Sequence, residues 1–129
     1  MSSPEQQAAS ARVGAYIGSL EVPVQEGAAG GWTIRLDAAG YPLLVEVVIR
    51  GPLLRVQAAV LPGGLIDPHQ LLFWNQQAPL VAFAETAQGE VHLAGELPLE
   101  QLRTETLDRC LGLLLASATR AREFAIANR

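Results

Sequence analysis

The order of the hydrophobic patterns predicts an α+β fold: a two-layer sandwich of antiparallel sheet and helices, in the order α-βββ-α-ββ-α. Three observations carry that prediction. Between Trp32 and Leu61, three runs alternate apolar and polar residues and are parted by short Gly/Pro turns. Parallel neighbours would need long crossovers, so these runs read as an antiparallel meander. A second, shorter hairpin follows across Gln88-Gly89. The last stretch carries an apolar stripe at helical spacing, wide enough to cover a sheet that is apolar on one face. At 129 residues the chain suits one domain, residues 1–129, with a single core.

The first element reads as a helix. Ser2 or Ser3 can cap it, Pro4 suits the first helical position, and Glu5 favours the positive end of the helix dipole. Val13, Tyr16, Ile17 and Leu20 form one apolar stripe, which Gly14 and Gly18 weaken by about 1 kcal/mol each relative to Ala. Residues 21–31 read as a loop rich in glycine, with neither the Gly-Lys-Ser/Thr of a phosphate-binding loop nor a dinucleotide fingerprint. In the meander, Trp32, Ile34 and Leu36 oppose Thr33, Arg35 and Asp37. Leu43, Val45, Val47 and Ile49 oppose a mixed set, Leu44, Glu46, Val48 and Arg50. Leu54, Val56, Ala58 and Val60 oppose Leu53, Arg55, Gln57 and Ala59. Asp67-Pro68 opens a short helix carrying Leu71, Leu72, Phe73 and Trp74; Pro79 ends it, so it should reach about Ala78. The hairpin spans residues 80–86 and 90–96. The final helix begins near Leu99 or Thr104, and its stripe is Leu107, Leu111, Leu114, Ala118, Ala121 and Ala125, flanked by Cys110, Leu113 and Ser117. Arg120, Arg122 and Arg129 crowd its end, where positive charge suits the helix dipole.

Composition narrows the function classes. Half the residues are hydrophobic, 17% are charged, and the net charge is −4 with all nine basic residues arginine and none clustered. Direct binding to nucleic acid or to an anionic membrane surface is therefore not expected, since both rely on concentrated positive charge. A single cysteine forms no internal disulfide, the N-terminus lacks a signal-peptide pattern, and no apolar run is long enough to span a bilayer. A reducing cytoplasm is the expected setting.

No reactive constellation appears, and no cofactor or metal is expected. His69 lies two residues after Asp67 with no nucleophile placed beside it, which makes a small His69-based enzyme the weakest reading. His92 alternates with Val91 and Leu93 and reads as a residue of the wet sheet face. Glu46, Glu85, Glu90 and Glu96 could be imagined as a carboxylate pair but sit at solvated strand or turn positions. Cys110 reads as a small packed hydrophobe.

The surplus apolar residues point instead to a surface. Leu44, Val48, Leu53, Ala59 and Leu61 fall opposite the predicted core stripes, and Phe73 and Trp74 are adjacent on a short helix, so they cannot share the centre of one face. Exposed apolar patches mark interaction sites. The expected interface residues are Trp74, Phe73, Trp32, Arg50, Arg55, Leu44 and Val48, because Trp and Arg are frequent anchors. The alternative is a regulatory domain holding a small apolar ligand in a closed cavity beside Trp74 and Phe83, oriented by Asn75 and His92.

Three local features resemble a known family. They are the middle helix ending Trp74-Asn75-Gln76, the hairpin Val81-Ala82-Phe83-Ala84 to Val91-His92-Leu93, and Leu97-Pro98-Leu99 leading to a Leu/Ala helix that ends Ala121-Arg122-Glu123-Phe124. Together with the element order they resemble the bacterial YbjN-like family, which shares the fold of type III secretion chaperones. The resemblance implies a non-enzymatic homodimer that binds a client or partner protein, linked to stress response and regulation, and carries over no catalytic residue. That partner could itself handle nucleic acid. The long loop after the first helix would let that helix pack on its own sheet or swap onto a second copy.

Overall fold

The computed structural model describes residues 3–27 and 30–129; Ser2 as an alternative cap and the middle of the Gly-rich loop lie outside them. The elements are α1 (Pro4–Ser19), β1 (Val24–Glu26), β2 (Trp32–Ala38), β3 (Tyr41–Arg50), β4 (Leu53–Leu61), α2 (Pro68–Asn75), β5 (Ala82–Glu85), β6 (Val91–Pro98), a 3-10 turn at Leu99–Gln101 and α3 (Thr104–Ala127). The six strands form one antiparallel sheet in the order β1-β2-β3-β4-β6-β5.

The α+β two-layer architecture is the predicted one, with boundary corrections. The segment read wholly as a loop contains edge strand β1, which pairs Val24 with Ile34 and Glu26 with Trp32. All three β1 residues are exposed, so they show no burial alternation that could have revealed them. Helix α2 stops at Asn75 rather than near Ala78, capped by Gln76. Leu99 and Thr104 each begin something: the first opens the 3-10 turn and the second opens α3.

One sheet face is covered. Helix α3 lies across β2, β4 and β6, and α1 packs beside it and the 3-10 turn. The alternation set Ile34, Leu43, Val45, Val47, Leu54, Val56 and Leu93 is fully buried under them. All six stripe residues of α3 are buried as well. Ser3 caps α1 in a capping box with Gln6, whose amide also donates to Gly51 O at 2.8 Å and so ties the helix to the β3–β4 turn. Ala9, Val13, Tyr16 and Ile17 are buried, so within the single chain α1 packs on its own sheet. Tyr16 donates to Asp108 at 2.7 Å and locks α1 to α3. Burial first, and this hydrogen bond second, push the Tyr16 hydroxyl pKa well above its ordinary value.

Candidate protein-interaction surface

Helix α2 is rooted at one end by Asp67, whose carboxylate accepts from the His69 backbone N–H at 2.9 Å, with Pro68 behind it. It has two turns and two kinds of face. Leu71 and Trp74, three residues apart, point inward and are buried, while Leu72 and Phe73 are 64% and 52% exposed. Trp74 was expected as a free anchor; the structure puts it inside. Its ring meets Phe124 edge-on at 5.2 Å and Phe83 at 5.8 Å, and the Arg120 guanidinium stands over it at 4.7 Å. Arg120 also donates to Gln77 at 2.8 Å. A short helix of low intrinsic stability is thereby bolted to β5 and α3, and its apolar outer face is presented on a fixed support. Arg120 thus serves this contact; α3 runs on to Ala127 and its last turn carries no basic residue, so the expected pairing of arginines with the helix dipole is not what Arg120 does.

The uncovered sheet face holds four more of the expected residues. Leu44 is 56% exposed, Val48 is half-buried, and Arg50 and Arg55 lie on the same face. Apolar positions there are interleaved with a polar chain. Arg55 donates to Gln57 at 2.9 Å, Gln57 donates to Glu46 at 3.1 Å, and Arg55 pairs with Glu96 at 3.7 Å. Trp32 belongs to the opposite face. It is buried under α1, with Gly14 of that helix against its ring, so it too serves the core. The seven residues therefore divide into two in the core, four on the open sheet face and Phe73 on α2.

The sheet edges differ in availability. Thr86 N–H donates to Glu90 O, so alternation along β5 turns the Phe83 N–H and C=O away from β6. The Asn75 side chain fills that edge: its amide donates to Phe83 O at 3.1 Å and its carbonyl accepts from Phe83 N–H at 2.7 Å. On β1 the outward backbone groups of Val24 and Glu26 have no backbone partner among the described residues. Leu72 and Leu80 are exposed apolar residues that the sequence reading did not single out. The exposure of Leu72 follows only once Leu71 and Trp74 are known to be the buried pair, which the helical pattern alone does not decide. Nor does a local pattern mark Leu80: its exposure goes with a φ of 69°, unusual for a bulky residue, and its carbonyl lies against Gly95.

The reactive candidates stay apart. His69 is exposed, and its backbone rather than its ring meets Asp67. His92 pairs with Glu90 on the sheet surface, Glu46 and Glu96 belong to the polar chain, and Glu85 is exposed. Cys110 is fully buried, which pushes its thiol up to about 11. Among the described residues no group of three potential ligands converges as a metal site. The space beside Trp74, Asn75 and Phe83, expected as a ligand cavity, is only about 10 Å³, room for a single water. Aromatic packing fills the rest.

Among the described residues no helix is long and apolar enough to cross a membrane. No protein-family model matches the chain, and no curated protein sequence matches it either. Its architecture is similar to several solved structures. In the ExsC–ExsE complex the matched chain superposes with a TM-score of 0.67 at 19% identity, over 88% of this chain and 92% of that one. The HopA1–SchA chaperone–effector complex gives 0.65 at 19% identity, over 84% and 88%. The Yersinia pestis type III secretion chaperone SycH, in complex with a fragment of YscM2, gives 0.65 at 14% identity, over 88% and 98%. The chain has the fold of type III secretion chaperones.

Proposed function

We propose that this chain is a non-enzymatic, chaperone-like protein-binding module that acts as a homodimer and holds a segment of a partner protein. The observation that carries the reading is the outer face of α2, where Leu72 and Phe73 stand exposed on a helix fixed from beneath by Trp74. Two adjacent large apolar side chains on a rigid, short element suit a two-fold contact, in which the same patch meets itself. The open sheet face, with Leu44, Val48, Arg50 and Arg55, suits the partner segment. The free β1 edge adds backbone pairing for an extended chain. The fold supports the same reading, since HopA1–SchA is a chaperone–effector complex. A YbjN-like role in stress response belongs to this proposal and rests on the sequence resemblance, while a cytoplasmic setting rests on the lone cysteine.

Light scattering on the purified chain at high micromolar concentration tests the dimer. Wild type should give twice the chain mass and Phe73→Asp the chain mass. A monomeric wild type removes the homodimer from the reading. Partner capture tests the remainder: a protein recovered stoichiometrically with wild type should be lost from Leu44→Glu, and equal recovery with both would take the open face out of the reading.

A further inference from the structure

We infer that the groove between the C-terminal end of α3 and the ends of β3 and β4 binds a partner-protein segment in which a large apolar side chain stands next to a carboxylate. The inference rests on the protein-binding reading above and adds the chemistry of a second contact, lined by residues other than those of α2.

The groove has a volume of about 260 Å³ and is lined by Tyr41, Leu61, Leu65, Ile126, Arg122 and Arg129 among others. Tyr41, Leu65 and Ile126 are three of the chain's exposed large apolar residues. Pockets for free small molecules run from about 300 to 1,000 Å³. This one is smaller and open, the size for an anchoring side chain of a protein.

Arg122 defines the charge such an anchor must bring. Its Nε donates to Val60 O at 3.0 Å, and its Nη1 donates to Ala38 O and Tyr41 O at 3.1 Å each. The guanidinium is thereby held fixed against three strand ends, while its Nη2 has no hydrogen-bond partner among the described residues. Carbonyl dipoles orient it but do not neutralise it. Burial lowers its pKa from the ordinary arginine value, the mark of a cation partly withdrawn from water. Among the described residues the ion pairs are Arg55–Glu96 and His92–Glu90, so neither Arg122 nor Arg129 has a carboxylate partner. A carboxylate is the group that matches a fixed guanidinium in charge and geometry. The apolar walls select what stands beside it. A purely apolar segment would leave the cation uncompensated, and a basic one would be repelled.

The test uses two acetylated, amidated dipeptides, Ac-Asp-Phe-NH2 and its neutral isostere Ac-Asn-Phe-NH2, titrated into the 15N-labelled full chain. The Asp peptide should shift the amides of Leu61, Leu65 and Ile126 saturably and bind roughly tenfold more tightly than the Asn peptide, the ratio set by one charge-assisted hydrogen bond. The Ile126→Glu variant should lose this binding while keeping its melting temperature. Arg122→Gln should lose the discrimination between the peptides, but it also breaks the strand-end contacts, so Ile126→Glu is the deciding variant. Equal binding of the two peptides, shifts confined to another surface, or unchanged binding in Ile126→Glu would overturn the inference. Light scattering on the same samples reads the α2 proposal separately. A dimer that fails to discriminate the peptides overturns the groove alone, and a monomer that binds the Asp peptide overturns the homodimer alone.

Discussion

Ala39 is the first of two residues in the β2–β3 turn, at φ 55°, and Gly40 follows at φ 85°. Positive φ at both central residues is the signature of a type I′ hairpin turn, whose twist matches the flanking strands. Alanine adopts that backbone against its Cβ, at a cost of roughly 1–2 kcal/mol. Glycine there gives part of the gain back through a freer unfolded chain. Ala39→Gly should therefore stabilise the protein by about 0.5–1 kcal/mol in urea denaturation, and a destabilised variant would show that the turn does not need the left-handed conformation. Residues also show where sequence reading ends. Phe73 and Trp74 are both large and apolar, and helical geometry says only that they face different ways. Which one is inside depends on Phe83 and Phe124, the latter fifty residues further along the chain. The role of Arg122 rests on carbonyls 62 to 84 residues away, and no local pattern encodes it.

At the scale of elements, legibility follows periodicity. Strands β2, β3 and β4 and helix α3 are readable because each has one face mostly buried, so the hydrophobic residues repeat at the element's own period. Strand β1 has no buried face and carries no such signal; only its pairing with β2 defines it. Helix α3 should be the main source of stability. Leu114 is fully buried at its centre, and Leu114→Ala should cost about 2–5 kcal/mol. A loss under about half a kcal/mol in chemical denaturation would contradict a packed site. The β5 edge depends on one side chain. Asn75→Ala removes both hydrogen bonds that complete Phe83 and should cost about 1–3 kcal/mol. Because it leaves an unpaired strand edge, it should also make association rise with concentration. Light scattering that matched wild type across a dilution series would mean that the Asn75 amide does not protect the edge.

For the whole molecule, two groups with raised pKa values sit on the inner sides of the helices, Tyr16 between α1 and α3 and Cys110 between α3 and the sheet, and both make the fold sensitive to alkali. The Cys110 thiol rises from 9.0 to about 11 because it is buried between α3 and the sheet. The Tyr16 hydroxyl rises from 10.0, by burial and by its hydrogen bond to Asp108. Both are neutral in the folded and unfolded chain at neutral pH, so they leave stability there unchanged. As pH passes 9 the unfolded chain begins to lose the Cys110 proton, while the folded chain keeps it until about 11. The unfolded state then binds fewer protons than the native one, and stability must fall as pH rises. Tyr16 extends the fall from pH 10 upward in the same direction. Urea denaturation at about pH 8 and about pH 10.5 should show a loss on the order of 2 kcal/mol from Cys110 alone. Cys110→Ala should start less stable, from the small void it leaves, but decline less between the two conditions. Equal declines in the two proteins would mean that the thiol titrates freely and that the layer between α3 and the sheet admits water. The same layer supports α2 through Trp74 and Phe124. The proposed homodimer should therefore dissociate at the pH where that layer unfolds, which light scattering across the same pH range would detect.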